Sequence, residues 1–164
     1  MKPKVYIETS IVSYLTAKPS KSLVVSANQL LVHEWWDKQR DKFDLYVSGL
    51  VIDEISRGDT SMALKRLNLI EGVPLLDINE HVILLAEEIA RKKILPAKAG
   101  EDISHIAVSA VHEVDFLLTL NCKHIANAFI YRRVEQICRS FGYEPPLVCT
   151  PQEILGKENK INEG

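Results

Sequence analysis

The chain has 164 residues, of which 46% are hydrophobic and 26% charged, with a formal net charge of −2 at pH 7. That length and apolar fraction suit a single globular domain with its own core, and the near-neutral charge excludes a global basic field, so nucleic acid would have to be held by a local patch. Cys122, Cys138 and Cys149 are odd in number and form no CxxC, which excludes a disulfide framework or zinc knuckle in favour of reduced thiols and a cytoplasmic protein; no run is long enough to cross a membrane.

Val5–Ile7 is a β-branched and aromatic run, read as a first strand. Glu8-Thr9-Ser10 ends it with polar groups, and Ser10 is placed to cap a short helix through Leu15. Beyond Pro19, Ser22 or Ser26 leads into a helix with Leu23, Ala27, Leu30 and Leu31 on one face and Trp35 a candidate for the same stripe. Trp35 and Trp36 are adjacent and cannot both enter one stripe, so at least one is expected in a contact with another chain. Leu45–Val47 reads as a second strand. Ser48-Gly49 turns into a short helix over Leu50–Ser56, which carries Glu54 and stops at Gly58. Asp59 or Thr60 caps the next helix, with Ala63, Leu64, Leu67 and Ile70 apolar, and Gly72 stops it. Val73–Leu76 is a third strand, placed at an edge by Pro74.

Asn79 caps a helix with Val82, Leu85, Ala86 and Ile89 inward. After the loop Ile94–Gly100, Asp102 opens a helix whose Ile103, Ile106, Ala107, Ala110 and Val111 fall on one buried face. Phe116–Leu118 is a continuous apolar run, as in a strand covered on both faces. Thr119, Asn121 and His124 follow its end. Ala128–Phe141 is another helix, Leu147–Cys149 a last strand, and Thr150-Pro151 starts a final short helix. Strands alternate with helices throughout, which predicts an α/β domain over residues 1–155 with a parallel sheet between helices. The polar stretch Gly156–Gly164 is expected to be a disordered tail.

Glu8, Glu54 and Asp102 are each predicted at one edge of this sheet, where sites gather in open α/β folds. Singly, each has an ordinary explanation as a solvated strand end, a helix cap or a partner of the helix macrodipole. Together they would repel and raise one another's pKa, and a cation would relieve that; all-oxygen ligands point to Mg²⁺ or Mn²⁺. On that reading Asp102→Asn leaves metal-free stability unchanged or raises it. His105, one turn after Asp102, faces either the cleft or the core. His124 is placed to contact a phosphate. Thr119 and Asn121 serve equally well as turn caps. No GxGxxG, P-loop or GxSxG occurs.

The segments YIETS, SGLVIDEISRGD, AGEDISHIAVSA and DFLLTLNCKHI, in this order and spacing, resemble the PIN-domain family, and within it the bacterial and archaeal VapC-type toxins. The resemblance spans Lys4 to Leu155. It implies a three-layer α/β/α fold with a central parallel sheet of about five strands and a metal-dependent ribonuclease site. It also implies homodimerisation and, for a toxin, a cognate antitoxin. The family's three acids fall on Glu8, Glu54 and Asp102 as metal ligands, and its fourth polar position falls on Asn121. Ser10 matches a small polar residue that supports the first acid; with Thr119 and His124 it is expected on the substrate side. Two departures stand out: Glu8 is one methylene longer than the usual Asp, and Asn121 and His124 stand where many relatives carry a further acid. The expected function is hydrolysis of RNA phosphodiester bonds as the toxin of a type II pair, with Lys123, His124, Arg132, Arg133 and Arg139 as a candidate RNA patch. The alternative is a non-catalytic PIN-fold module that binds RNA or a protein partner.

Overall fold

A computed structural model describes residues 1–156; apart from Gly156, the expected disordered tail lies outside the described residues. Five strands form one all-parallel sheet: β1 (Lys4–Ile7), β2 (Asp44–Ser48), β3 (Leu75–Leu76), β4 (Phe116–Leu118) and β5 (Leu147–Cys149), in the order β3-β2-β1-β4-β5. β1 is central. Val5 pairs with Leu45 on one side and with Phe116 on the other, and Ile7 pairs with Leu118. The chain builds outward from β1 to β3, then returns to lay β4 on the far side of β1. The carboxyl ends of β1 and β4 therefore meet where the direction of winding reverses, the position at which open α/β sheets open a crevice. β3, with Pro74 just before it, is at an edge as its sequence predicts.

The helices are α1 (Thr9–Thr16), α2 (Leu23–Lys38), α3 (Gly49–Ile55), α4 (Thr60–Leu69), α5 (Glu80–Arg91), α6 (Gly100–Val111), α7 (Ala128–Ser140) and α8 (Pro151–Leu155). α1 packs on α2, α3 and α4, whereas α5 packs on α6 and α7. Right-handed crossovers put the first group on one face of the sheet and the second on the other, giving three α/β/α layers. Buried Val5, Tyr6, Ile7, Leu117 and Leu118 form the middle of the core. Gly58 and Gly72, the expected helix stops, and Gly142, just after α7, take φ of 84, 82 and 85°, a region open to glycine without steric cost.

Three local expectations are corrected. Glu8, not Ser10, caps α1: its carboxylate accepts from the Ser10 backbone N–H at 3.0 Å. α6 starts at Gly100, so Asp102 lies inside its first turn rather than opening it. The inward face of α2 is Gln29, Val32, Trp35 and Trp36, while Leu23 and Leu30 are 88% and 70% exposed. The reason is that α2 is covered on two sides, by α1 and by α8, so neighbouring residues about 100° apart on the helix both find cover. Both tryptophans are thus buried within the chain. Trp35 packs on Phe43 with ring centroids 5.8 Å apart, and the Arg40 guanidinium lies 4.8 Å from the Trp36 ring. Gln29 is buried because it is paired: its side chain accepts from Ser20 N–H and donates to the Lys18 carbonyl, each at 3.0 Å.

Candidate metal centre at the carboxyl edge of the sheet

Glu8 leaves β1 at its carboxyl end and turns its side chain back over the start of α1. Three donors converge on it. Ser10 Oγ and Thr119 Oγ1 each donate to Oε1 at 2.5 Å, and Ser10 N–H donates to Oε2. The two hydroxyls are themselves fixed: Ser10 Oγ accepts from Leu120 N–H at 2.8 Å, and Thr119 Oγ1 accepts from Asn121 N–H at 2.9 Å. The longer acid is thereby tied to the turn after β4, across the crevice. Thr119 is fully buried, and its hydroxyl is committed on both sides. Thr119, expected on the substrate side, holds Glu8. Ser10, similarly engaged, also supports the acid instead of reaching outward.

Glu54 comes from α3, which begins directly after β2 and so projects over the same edge. His105 Nε2 lies 2.5 Å from Glu54 Oε1, and Tyr6 OH lies 2.7 Å from His105 Nδ1. Burial pushes the Glu54 pKa up, but the hydrogen bond with His105, with smaller help from Thr9 and Arg57, outweighs it and holds the carboxyl below its ordinary range. The Thr9 hydroxyl is close enough to favour the charged acid, yet its buried oxygen makes no hydrogen bond of acceptable geometry. One ligand atom each from Glu8, Glu54 and His105 lie within 4.8 Å of one another, so this cluster could hold a metal ion. Two carboxylates are donors suited to a hard divalent cation, and the unpaired Thr9 oxygen adds a further polar atom beside them. The residues present fit such an ion.

Asp102 does not join that cluster. Its Oδ1 accepts from Asn121 Nδ2 at 3.0 Å and its Oδ2 pairs with His124 Nδ1 at 2.8 Å. Asn121 Oδ1 in turn accepts from the His124 backbone N–H at 3.1 Å, closing the turn after β4. The seven site residues expected from the sequence thus fall into two hydrogen-bonded groups: Glu8, Ser10, Thr119, Asn121, Asp102 and His124 in one, and Glu54, whose partner is His105, in the other. Sequence reasoning left His105 open between cleft and core. It missed Tyr6, an aromatic in a strand with nothing in its spacing to mark a polar role.

Of the expected RNA patch, Lys123, Arg132 and Arg133 are exposed, whereas Arg139 is paired with Glu135 at 3.2 Å and Glu144 at 3.0 Å. A surface cavity of about 730 Å³ lies at the opposite rim of the sheet beside Asp115, Tyr131 and Leu147; Arg139 of the expected patch lines it, but none of Glu8, Glu54, Asp102 and Asn121 does.

The sheet order and the two helical layers define a PIN-like α/β fold. A structural likeness agrees: a chain in the crystal structure of VapBC2 from Rickettsia felis, bound to a DNA fragment from their promoter, superimposes with a TM-score of 0.58 at 11% identity, covering 90% of this chain and 98% of that one. At that identity the likeness is one of fold. No family model matches the sequence, and no curated protein matches it. No helix among the described residues is long and apolar enough to cross a membrane.

Proposed function

We infer that the protein is a Mg²⁺- or Mn²⁺-dependent endoribonuclease, the toxin of a type II toxin–antitoxin pair. The observation that carries this reading is the convergence of Glu8 and Glu54 at the crevice of a PIN-like sheet. The likeness to a chain from VapBC2 supports a cognate antitoxin as partner.

Glu8 and Glu54 would hold a divalent ion through their carboxylate oxygens, and such an ion would supply a water of lowered pKa and positive charge for the phosphoryl oxygens. Asp102 enters as the third acid of the edge: it adds negative charge and fixes Asn121 and His124 in the turn facing the substrate. Asn121 would orient the water or phosphate, and one of the carboxylates would accept the water's proton. Lys123, Arg132 and Arg133 guide the RNA backbone, and the target is an exposed loop or single strand, where RNA bases are open to recognition. The protein acts in the cytoplasm and pairs as a homodimer.

The test is cleavage of a structured RNA with Mg²⁺ or Mn²⁺. Wild type should cut, EDTA should stop it, and Glu54→Gln should lower the rate by orders of magnitude. Cleavage undiminished by EDTA refutes the metal mechanism. RNA bound without cleavage favours the alternative, a non-catalytic binding module, for which the altered first acid and the Asn at the fourth position speak.

A further inference from the structure

Four elements of the fold contribute one side chain each to a buried polar line. Ser48 Oγ, at the end of β2, lies 2.8 Å from Tyr6 OH in β1. Tyr6 OH lies 2.7 Å from His105 Nδ1 in α6, and His105 Nε2 lies 2.5 Å from Glu54 Oε1 in α3. Ser48, Tyr6 and His105 are fully buried. The line ends on Glu54, one of the two acids of the candidate metal centre.

The chemistry of each atom orders the protons. An ionised carboxylate only accepts, so the nitrogen beside Glu54 must carry the hydrogen: Nε2–H donates to Oε1. With Nδ1 as the ring's acceptor, Tyr6 OH donates to it and accepts from Ser48. Every group is then satisfied, as burial requires. Were His105 instead a metal ligand, Nε2 would present a lone pair to a carboxylate oxygen 2.5 Å away, and the two would repel. His105 is also more deeply buried than Glu54.

We propose that His105 is a positioning residue for Glu54: its ring, locked by Tyr6 and Ser48, donates Nε2–H to Oε1 and aims the carboxylate at the ion shared with Glu8, without itself binding that ion. This deepens the nuclease reading and rests on it. It makes the protein's donor set at the ion oxygen only, which favours Mg²⁺ and Mn²⁺ over Zn²⁺. The outer partners of metal ligands typically govern affinity by about 10–100-fold.

Two measurements test it on the full chain. In ¹⁵N-labelled protein, the long-range imidazole spectrum should show His105 Nε2 protonated before Mg²⁺ is added and still protonated at saturation. Loss of that proton on binding would make His105 a ligand and overturn the proposal. In parallel, Mn²⁺ affinity from the free-ion electron paramagnetic resonance signal should fall at least tenfold in His105→Phe, which keeps a ring but no donor. It should recover to within about threefold of wild type in His105→Gln, whose amide nitrogen can reach the same oxygen. A core-filling role alone would give the reverse order, Phe restoring more than Gln. If His105→Phe does not fold, the spectrum and the Gln variant still decide. Wild type that binds neither ion defeats the nuclease reading and this proposal with it; wild type that binds, with His105→Phe binding equally well, defeats this proposal alone.

Discussion

Asn121 Nδ2 donates to Asp102 Oδ1 at 3.0 Å, joining the first turn of α6 to the turn after β4. His124 Nδ1 meets the other oxygen of the same carboxylate. The third acid is therefore surrounded by donors and not pressed against Glu8 and Glu54, and this reverses the sign of a substitution. Repulsion among three clustered acids would make Asp102→Asn neutral or stabilising. With both oxygens bonded, the change replaces one acceptor by a donor facing His124 or Asn121. Metal-free stability should fall by about 1–3 kcal/mol, read as a lower urea midpoint at unchanged slope. A midpoint at or above wild type would restore the repulsion account.

Thr119 gives a second expected outcome. Thr119→Val keeps the shape but removes a hydroxyl that serves both Glu8 and the Asn121 N–H. It should cost about 1–3 kcal/mol for the groups left unpaired and weaken Mn²⁺ binding, while Thr119→Ser should recover most of both. Equal behaviour of the two variants in a urea melt and a Mn²⁺ titration would show that the hydroxyl does nothing for Glu8.

The sequence carried the fold because its signals are local. β4 is a three-residue apolar run between polar groups, and α5 begins at the Asn79 cap, whose side chain accepts from Val82 N–H at 3.1 Å. Pro74 and Gly72 mark the edge strand. Glu8 and Glu54 were legible for the same reason, each standing just past or just after a strand end. The partners of these acids were not. The Thr119–Glu8 bond spans 111 residues and the His105–Glu54 bond 51, and no periodicity encodes which helix will lie over which strand. α2 failed locally as well: its apolar residues run all round the helix, so its inward side was set by what covers it.

That cover fixes the outcome for Trp36. Buried in the chain's own core beside Trp35, it should act on folding and not on assembly. Trp36→Ala should lower stability by about 3–5 kcal/mol in equilibrium unfolding. Light scattering on the folded fraction should give the same mass as wild type. A change of mass with little loss of stability would return Trp36 to an interface.

The thiols separate by burial. Burial raises Cys138 to about 11, whereas Cys122 is exposed. At pH 8 a thiol with that pKa is ionised to only about one part in a thousand, and the thiolate is the reactive form. Ellman's reagent should modify Cys122 rapidly in native protein and Cys138 only after unfolding, as peptide mapping would show. Rapid native labelling of Cys138 would contradict its placement on the inner face of α7.

The central claim is that Glu8 and Glu54 share a divalent ion at the β1–β4 crevice. Crystals soaked in Mn²⁺ and measured at the manganese absorption edge locate such an ion directly. The expected map has an anomalous peak about 2.0–2.6 Å from a carboxylate oxygen of each acid, with His105 outside coordinating distance, and no peak there in crystals of Glu8→Gln. A map from wild type with no peak between the two acids, or with manganese bound only elsewhere, would contradict the account.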